Sequence, residues 1–247
     1  MLRYLVFFGI GFMLSACTSN DEEKSENSID DTIYFPLQRN IVDYKVSQVD
    51  IYNDGSTRDS FNYYLRESVS SSYIDSNEEE ISVIDQYTKL SISDSWQLVG
   101  RVTSHIANNQ VIRKEENISQ IKLVLPPMTD DTWNPNAFFD DNVLIPIGSG
   151  ELSYYSNWQS IYTDLNMSTE VNGMEFTNVI AVTLANYENR LQYRHAIEYY
   201  APDIGLIYKE IHVFDTQCFD SCSDIAWPDK ANIGQVFIQS IVDFSHG

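Results

Sequence analysis

Apolar and polar residues alternate over short spans along this chain, and turn-forming residues separate the spans. Ile33-Tyr34-Phe35-Pro36-Leu37 opens the pattern. Residues 43–52 and 57–65 flank Asn53-Asp54-Gly55-Ser56, and Asp-Gly between two such runs predicts a hairpin. Residues 80–92 and 96–106 continue it, Asn108-Asn109 interrupts it, and 111–114 and 118–125 follow. Pro126-Pro127 ends that run, because neither proline can donate to a β-ladder. Residues 128–150 are loop-like, with Trp133, Phe138 and Phe139 as the side chains that pin the loop down. Strands are predicted again at 152–162, 175–184, 191–200, 205–215 and 236–244. Those at 191–200 and 205–215 form a hairpin closed at Pro202-Asp203, and the last strand puts Val236, Ile238, Val242 and Phe244 on one face. No long run carries a clean helical stripe; residues 154–165 are the best helix candidate and are ambiguous between helix and strand. The fold class is therefore mainly β, with little helix. A single antiparallel barrel, half-barrel or large sandwich of about ten strands fits the pattern.

Composition agrees. Among 247 residues, 16 Tyr and 12 Phe favour strands, and 43% hydrophobic content is too high for a disordered chain. No internal repeat or linker interrupts residues 33–247, so one domain is expected there. The formal net charge of −21 repels phosphate backbones and argues against nucleic acid as a partner.

The amino terminus departs from this pattern. Arg3 precedes a short apolar run from Leu5 to Leu14, followed by Leu14-Ser15-Ala16-Cys17. The layout is that of a secretory signal peptide over residues 1–16. Leu-Ser-Ala-Cys resembles the lipobox of bacterial lipoproteins, which implies cleavage before Cys17 and acylation, such as palmitate, at that residue. The alternatives are an uncleaved anchor or an ordinary signal peptide. Cleavage leaves 231 residues with a formal charge of −22, attached to a membrane through Cys17. Residues 17–32 are polar and acidic, with Asp21, Glu22 and Glu23 in a row, and are expected to form a flexible tether. This cluster resembles the surface-export signal of Bacteroidetes lipoproteins; a plain solvated spacer has the same composition. Asp31-Thr32-Ile33 resembles the O-glycosylation motif of the same group.

Two further stretches carry a family resemblance. Tyr34-Phe35-Pro36-Leu37 and Tyr200-Ala201-Pro202-Asp203-Ile204-Gly205-Leu206-Ile207-Tyr208-Lys209-Glu210 resemble a family of Bacteroidetes outer-membrane lipoproteins with no established activity. Glu116-Asn117 and Trp133-Asn134 fit the same pattern. The resemblance implies an outer-membrane, lipid-anchored protein and carries over no catalytic residue. Gly205 is expected where the backbone must bend without a side chain. That family usually has a glycine soon after the start motif; here Gln38-Arg39-Asn40 stands instead.

Few residues suggest chemistry. With Cys17 acylated, Cys218 and Cys222 remain, and export favours a disulfide between them over a redox pair or half a metal site with His212. A two-residue turn at Pro202-Asp203 would set His195 opposite Glu210 and Tyr193 opposite His212. His195, Glu210 and His212 are then a candidate zinc set, or a His–Glu pair in an aromatic face. Asp130-Asp131 and Asp140-Asp141-Asn142 offer oxygens for calcium, or serve only as turn residues. No G-x-S-x-G, H-E-x-x-H or phosphate-binding glycine loop occurs, so neither an enzyme nor a cofactor is expected. The function expected is a non-catalytic binding or carrier module for an apolar or glycan ligand. The alternative is an interaction subunit of a cell-envelope complex.

Overall fold

The computed structural model describes residues 31–38, 40–54, 56–219, 222 and 224–246. The signal peptide, Cys17 and nearly all of the tether lie outside the described residues. After a single turn at Asp31–Tyr34, six strands follow one another: β1 (Asn40–Ile51), β2 (Arg58–Ile74), β3 (Glu80–Lys89), β4 (Gln97–Ala107), β5 (Gln110–Glu115) and β6 (Ile118–Val124). Three short ones come next: β7 (Thr132–Trp133), β8 (Leu144–Ile147) and β9 (Gly150–Ser153). Five long ones complete the chain: β10 (Ser160–Val171), β11 (Met174–Glu188), β12 (Gln192–Ala201), β13 (Gly205–Asp215) and β14 (Ile233–His246). No α-helix occurs among the described residues.

Twelve strands make one antiparallel sheet in the order β6-β5-β4-β3-β2-β1-β14-β13-β12-β11-β10-β7. Two meanders thus join through their first and last strands, with Tyr44 opposite Ile241. The sheet curls until its two ends meet. There Ile121 N donates to Pro135 O at 3.0 Å, and Trp133 Nε1 donates to Ile121 O at 3.0 Å. The Tyr162 hydroxyl donates to Val124 O at 2.7 Å and accepts from Val124 N at 3.0 Å. The result is a nearly closed barrel, within the fold class expected from alternation.

Local chemistry sets the turns. Asn108-Asn109 and Asn172-Gly173 have positive φ at both positions, as a twist-matched two-residue hairpin requires. At the first hairpin, Asp54 Oδ1 accepts from Ser56 N and Thr57 N at 2.9 and 2.7 Å. Gly205 adopts φ 91°, and a Cβ there would lie 3.2 Å from Pro36 Cδ, as expected for a bend closed against the amino-terminal segment.

Five expectations need correction. Residues 154–165 are not helical. Residues 152–162 are not one strand either: β9 ends at Ser153, and β10 begins at Ser160 after a turn in which Asn157 has positive φ. The loop at 128–150 contains β7 and β8 and leads into β9. The buried side of β14 holds Gln239 and Ile241, opposite the inward Val46 and Tyr44, and not Val236, Ile238 and Val242; the register slip between Asp43 and Tyr44 then sets Phe244 opposite Val42, where it remains 36% exposed. The β12–β13 hairpin pairs His195 with His212 and Ile197 with Glu210, two positions from the expected register. Its turn spans Pro202, Asp203 and Ile204, and the register shifts between Tyr199 and Tyr200. A slip of two keeps each side chain on its face, so the predicted face survives although its pairs do not.

Candidate functional site

Facing directions on β12 organise the molecule. Arg194, Ala196, Glu198 and Tyr200 point into the barrel and are buried. Tyr193, His195, Ile197 and Tyr199 lie half-buried on the outer face. The candidate zinc residues are therefore on the outside. His212 Nε2 lies 3.0 Å from Glu210 Oε1, and the His195 and His212 rings are 6.0 Å apart. Burial pushes the His212 pKa down against the pull of Glu210, which favours a neutral imidazole. Among the described residues, no three His, Cys, Asp or Glu side chains gather to hold a metal ion. His195, Glu210 and His212 share the outer face, and His212 and Glu210 pair within an aromatic row. Asp140 serves as a turn residue: it accepts from Asn142 N at 2.9 Å and Nδ2 at 3.1 Å.

Cys218 and Cys222 are joined by a disulfide. The excursion they staple lies against the outer face, where Trp227 stacks on Phe214 at 5.9 Å and Phe214 on Tyr193 at 5.9 Å. Ile51, Phe214 and Ala231 form a small separate core beneath it.

The interior holds charged groups that the sequence pattern did not flag. Lys122 Nζ lies 2.6 Å from Glu198 Oε1, Tyr200 OH donates to Glu198 Oε2 at 2.5 Å, and Lys209 Nζ stands 3.8 Å from Glu198. Burial pushes the Glu198 carboxyl up, yet Lys122 and Lys209 outweigh it and leave the net shift downward. Arg113 reaches from β5 to Glu67 on β2, with bonds of 2.5 and 3.0 Å, and also holds Glu115 at 2.6 Å. Burial raises Glu115 as well, but Arg113 and the lysines bring it down to about 2. The available signal was an Arg and a Glu in step with Ala196 and Tyr200 on the same side of β12.

The lumen is filled unevenly. On the β10–β13 side, the segment around β8 and β9 folds inward and buries Ile147, Leu152, Tyr154 and Trp158. Arg194 anchors this plug by donating to Phe214 O at 2.8 Å and Ser153 O at 3.1 Å. At the end where β1 begins, Phe35 caps the barrel beside Tyr200, and Asp203 N donates to Ile33 O at 2.8 Å. Among the described residues, nothing equivalent fills the opposite end between β1 and β4. A chamber of about 580 Å³ remains there. Phe61, Leu90 and Val99 give it an apolar rim, and Phe61 is 44% exposed, Leu90 79% and Val99 59%. Gln48, Asp50, Tyr63 and Thr88 supply polar walls. Gln48 and Asp50 continue the inward row of Tyr44 and Val46, so polar residues on a core-facing row were the sequence signal for it.

No family model and no curated protein sequence matches the chain. Two solved structures resemble it. One, from Bacteroides fragilis, is assigned as an exported protein with a YmcC-like fold; the alignment covers 83% of this chain and 96% of that one at 9% identity and a TM-score of 0.40. The other, from Parabacteroides distasonis, is assigned as a lipoprotein; 85% of this chain and 98% of that one align at 12% identity and a TM-score of 0.34. Neither likeness bears on activity.

Proposed function

We propose that the protein is a lipid-anchored binding or carrier module of the cell envelope, most simply on the outer membrane. Its half-open barrel takes a small apolar ligand, or one with an apolar part, and it carries out no chemistry. The chamber ringed by Phe61, Leu90 and Val99 supports this reading above all, since a concave apolar space with a few convergent polar groups is the usual form of a ligand site. The lipobox-like Leu14-Ser15-Ala16-Cys17 supports the anchoring. A glycan is the weaker ligand class, because the rim is apolar and not built of stacked aromatic rings. Native mass spectrometry of protein purified from its own membranes tests the reading: a co-purifying small molecule is expected, and a clean apo mass overturns the carrier role. Cys17→Ala is expected to release the body from membranes.

The alternative is an interaction subunit. Ile92 and Leu98, 77% and 55% exposed, extend the apolar rim outside the chamber and would suit a protein partner. Crosslinking in cells to one stoichiometric partner, with no small molecule bound, would favour it.

A further inference from the structure

Asp50 and Asp59 are directly paired across β1 and β2, so both carboxylates stand on the inward side of the sheet, and Asp50 lines the chamber wall next to Asp59. Like charges placed opposite each other destabilise a sheet. Here they are held by neutral donors only. Asp50 accepts from Gln48 Nε2 at 3.0 and 3.2 Å and from Gln235 Nε2 at 2.9 Å. Gln235 is itself fixed by Tyr154 OH at 2.9 Å. Asp59 accepts from Tyr52 OH.

The nearby cations are all turned elsewhere. Arg58 lies 3.7 Å from Asp229, on the outside of the barrel. Lys89 donates to Ile92 O at 3.2 Å and sits over the Trp96 ring at 4.5 Å. Lys209, inside the barrel, is spent on Glu198 and the Phe237 face. Among the described residues neither Asp50 nor Asp59 makes an ion pair within 4.0 Å. Tyr63, in the chamber wall, feels the same field: after burial, Asp50 and Glu115 are what push its pKa up.

We infer that the chamber selects a cationic amphiphile, its tail against Phe61, Leu90 and Val99 and its positive group at Asp50 and Asp59. This rests on the carrier reading and adds the charge of the ligand to it. A cation there relieves the Asp50–Asp59 repulsion and meets the aromatic faces of Phe61 and Tyr63, whereas an anionic headgroup meets two unneutralised carboxylates.

The test uses the Cys17→Ala protein at low salt, with phenylnaphthylamine as a neutral fluorescent probe of the chamber. Dodecyltrimethylammonium, dodecanol and dodecyl sulfate compete with it, each below its micelle concentration. The ammonium compound is expected to displace the probe at about tenfold lower concentration than the sulfate, a difference of about 1.4 kcal/mol. Asp50→Asn, which keeps size and an acceptor oxygen, is expected to erase most of that preference; Asp59→Asn is the second, independent variant. If the probe binds but the two charged compounds compete equally, or the sulfate wins, the charge inference fails and the carrier reading stands. If neither probe nor any dodecyl compound binds, the carrier reading fails and takes the inference with it.

Discussion

Lys122 on β6 lies 2.6 Å from Glu198 on β12, and the pair bridges the seam where the two ends of the sheet meet. Both side chains are almost fully buried. Such a pair contributes little net stability compared with apolar residues of the same shape, but removing one partner strands the other charge. Lys122→Met is therefore expected to destabilise the protein by about 3 kcal/mol or more. Adding Glu198→Gln should restore roughly half of the loss, because the stranded carboxylate is gone. Urea unfolding at constant slope measures both; a neutral single variant would show that the seam does not depend on this pair.

Acid should loosen the same interior. Glu115 falls from 4.5 to about 2, and Glu198 is also shifted downward. A carboxyl whose folded pKa lies below its unfolded value stabilises fully above the unfolded pKa and loses that contribution as pH falls toward the folded one. The melting temperature is thus expected to hold down to about pH 5 and to decline below it, and Glu115→Gln should flatten part of the decline. Melting followed by circular dichroism between neutral and acid pH checks this. An unchanged pH profile in the variant would remove Glu115 as a cause.

The bend at Gly205 offers a backbone test. Its φ of 91° and the 3.2 Å approach of Pro36 leave little room for a side chain. Gly205→Ala is expected to cost about 1–2 kcal/mol and to loosen the cap formed by Phe35. Protease cleavage near residue 35 should quicken in the variant; equal cleavage rates would mean that the cap does not lean on this turn.

The disulfide should matter less. Cys218 and Cys222 are four residues apart, and closing so short a loop stabilises by about 2 kcal/mol at most on the chain-entropy account. The double Cys→Ser variant is expected to stay folded, with Trp227 fluorescence shifted to the red as the excursion lifts from Phe214. Global unfolding on reduction would overturn this.

Phe61→Asp addresses the chamber itself. Its ring is 44% exposed, so the fold should tolerate the change. Binding of an apolar probe is expected to fall at least about tenfold. Undiminished binding would move the site elsewhere.

The β architecture was readable because strand periodicity is local: Asn53-Asp54 and Asn108-Asn109 announce their turns, and the alternation along residues 191–200 announces two faces. Which face was the interior was not readable there. The aromatic row of Tyr193 and Tyr199 lies outside, and Arg194 and Glu198 point inward, because their partners Ser153, Asp215 and Lys122 come from distant parts of the chain. The expected pairing of His195 with Glu210 went wrong for a related reason: a three-residue turn, together with the register shift between Tyr199 and Tyr200, set His195 opposite His212 instead.

The sequence alone determined the alternating strands, the turns at Asn53-Asp54 and Asn108-Asn109, the acidic charge and the lipobox-like leader, all of which are read from the residues themselves or from close neighbours in the chain. Only the tertiary structure decided that β14 returns to β1, that the 134–159 segment plugs one side of the lumen, and that the other side stays open. Those outcomes depend on which distant surfaces bury each other. A chamber is space that no segment fills, and no local pattern of residues encodes it.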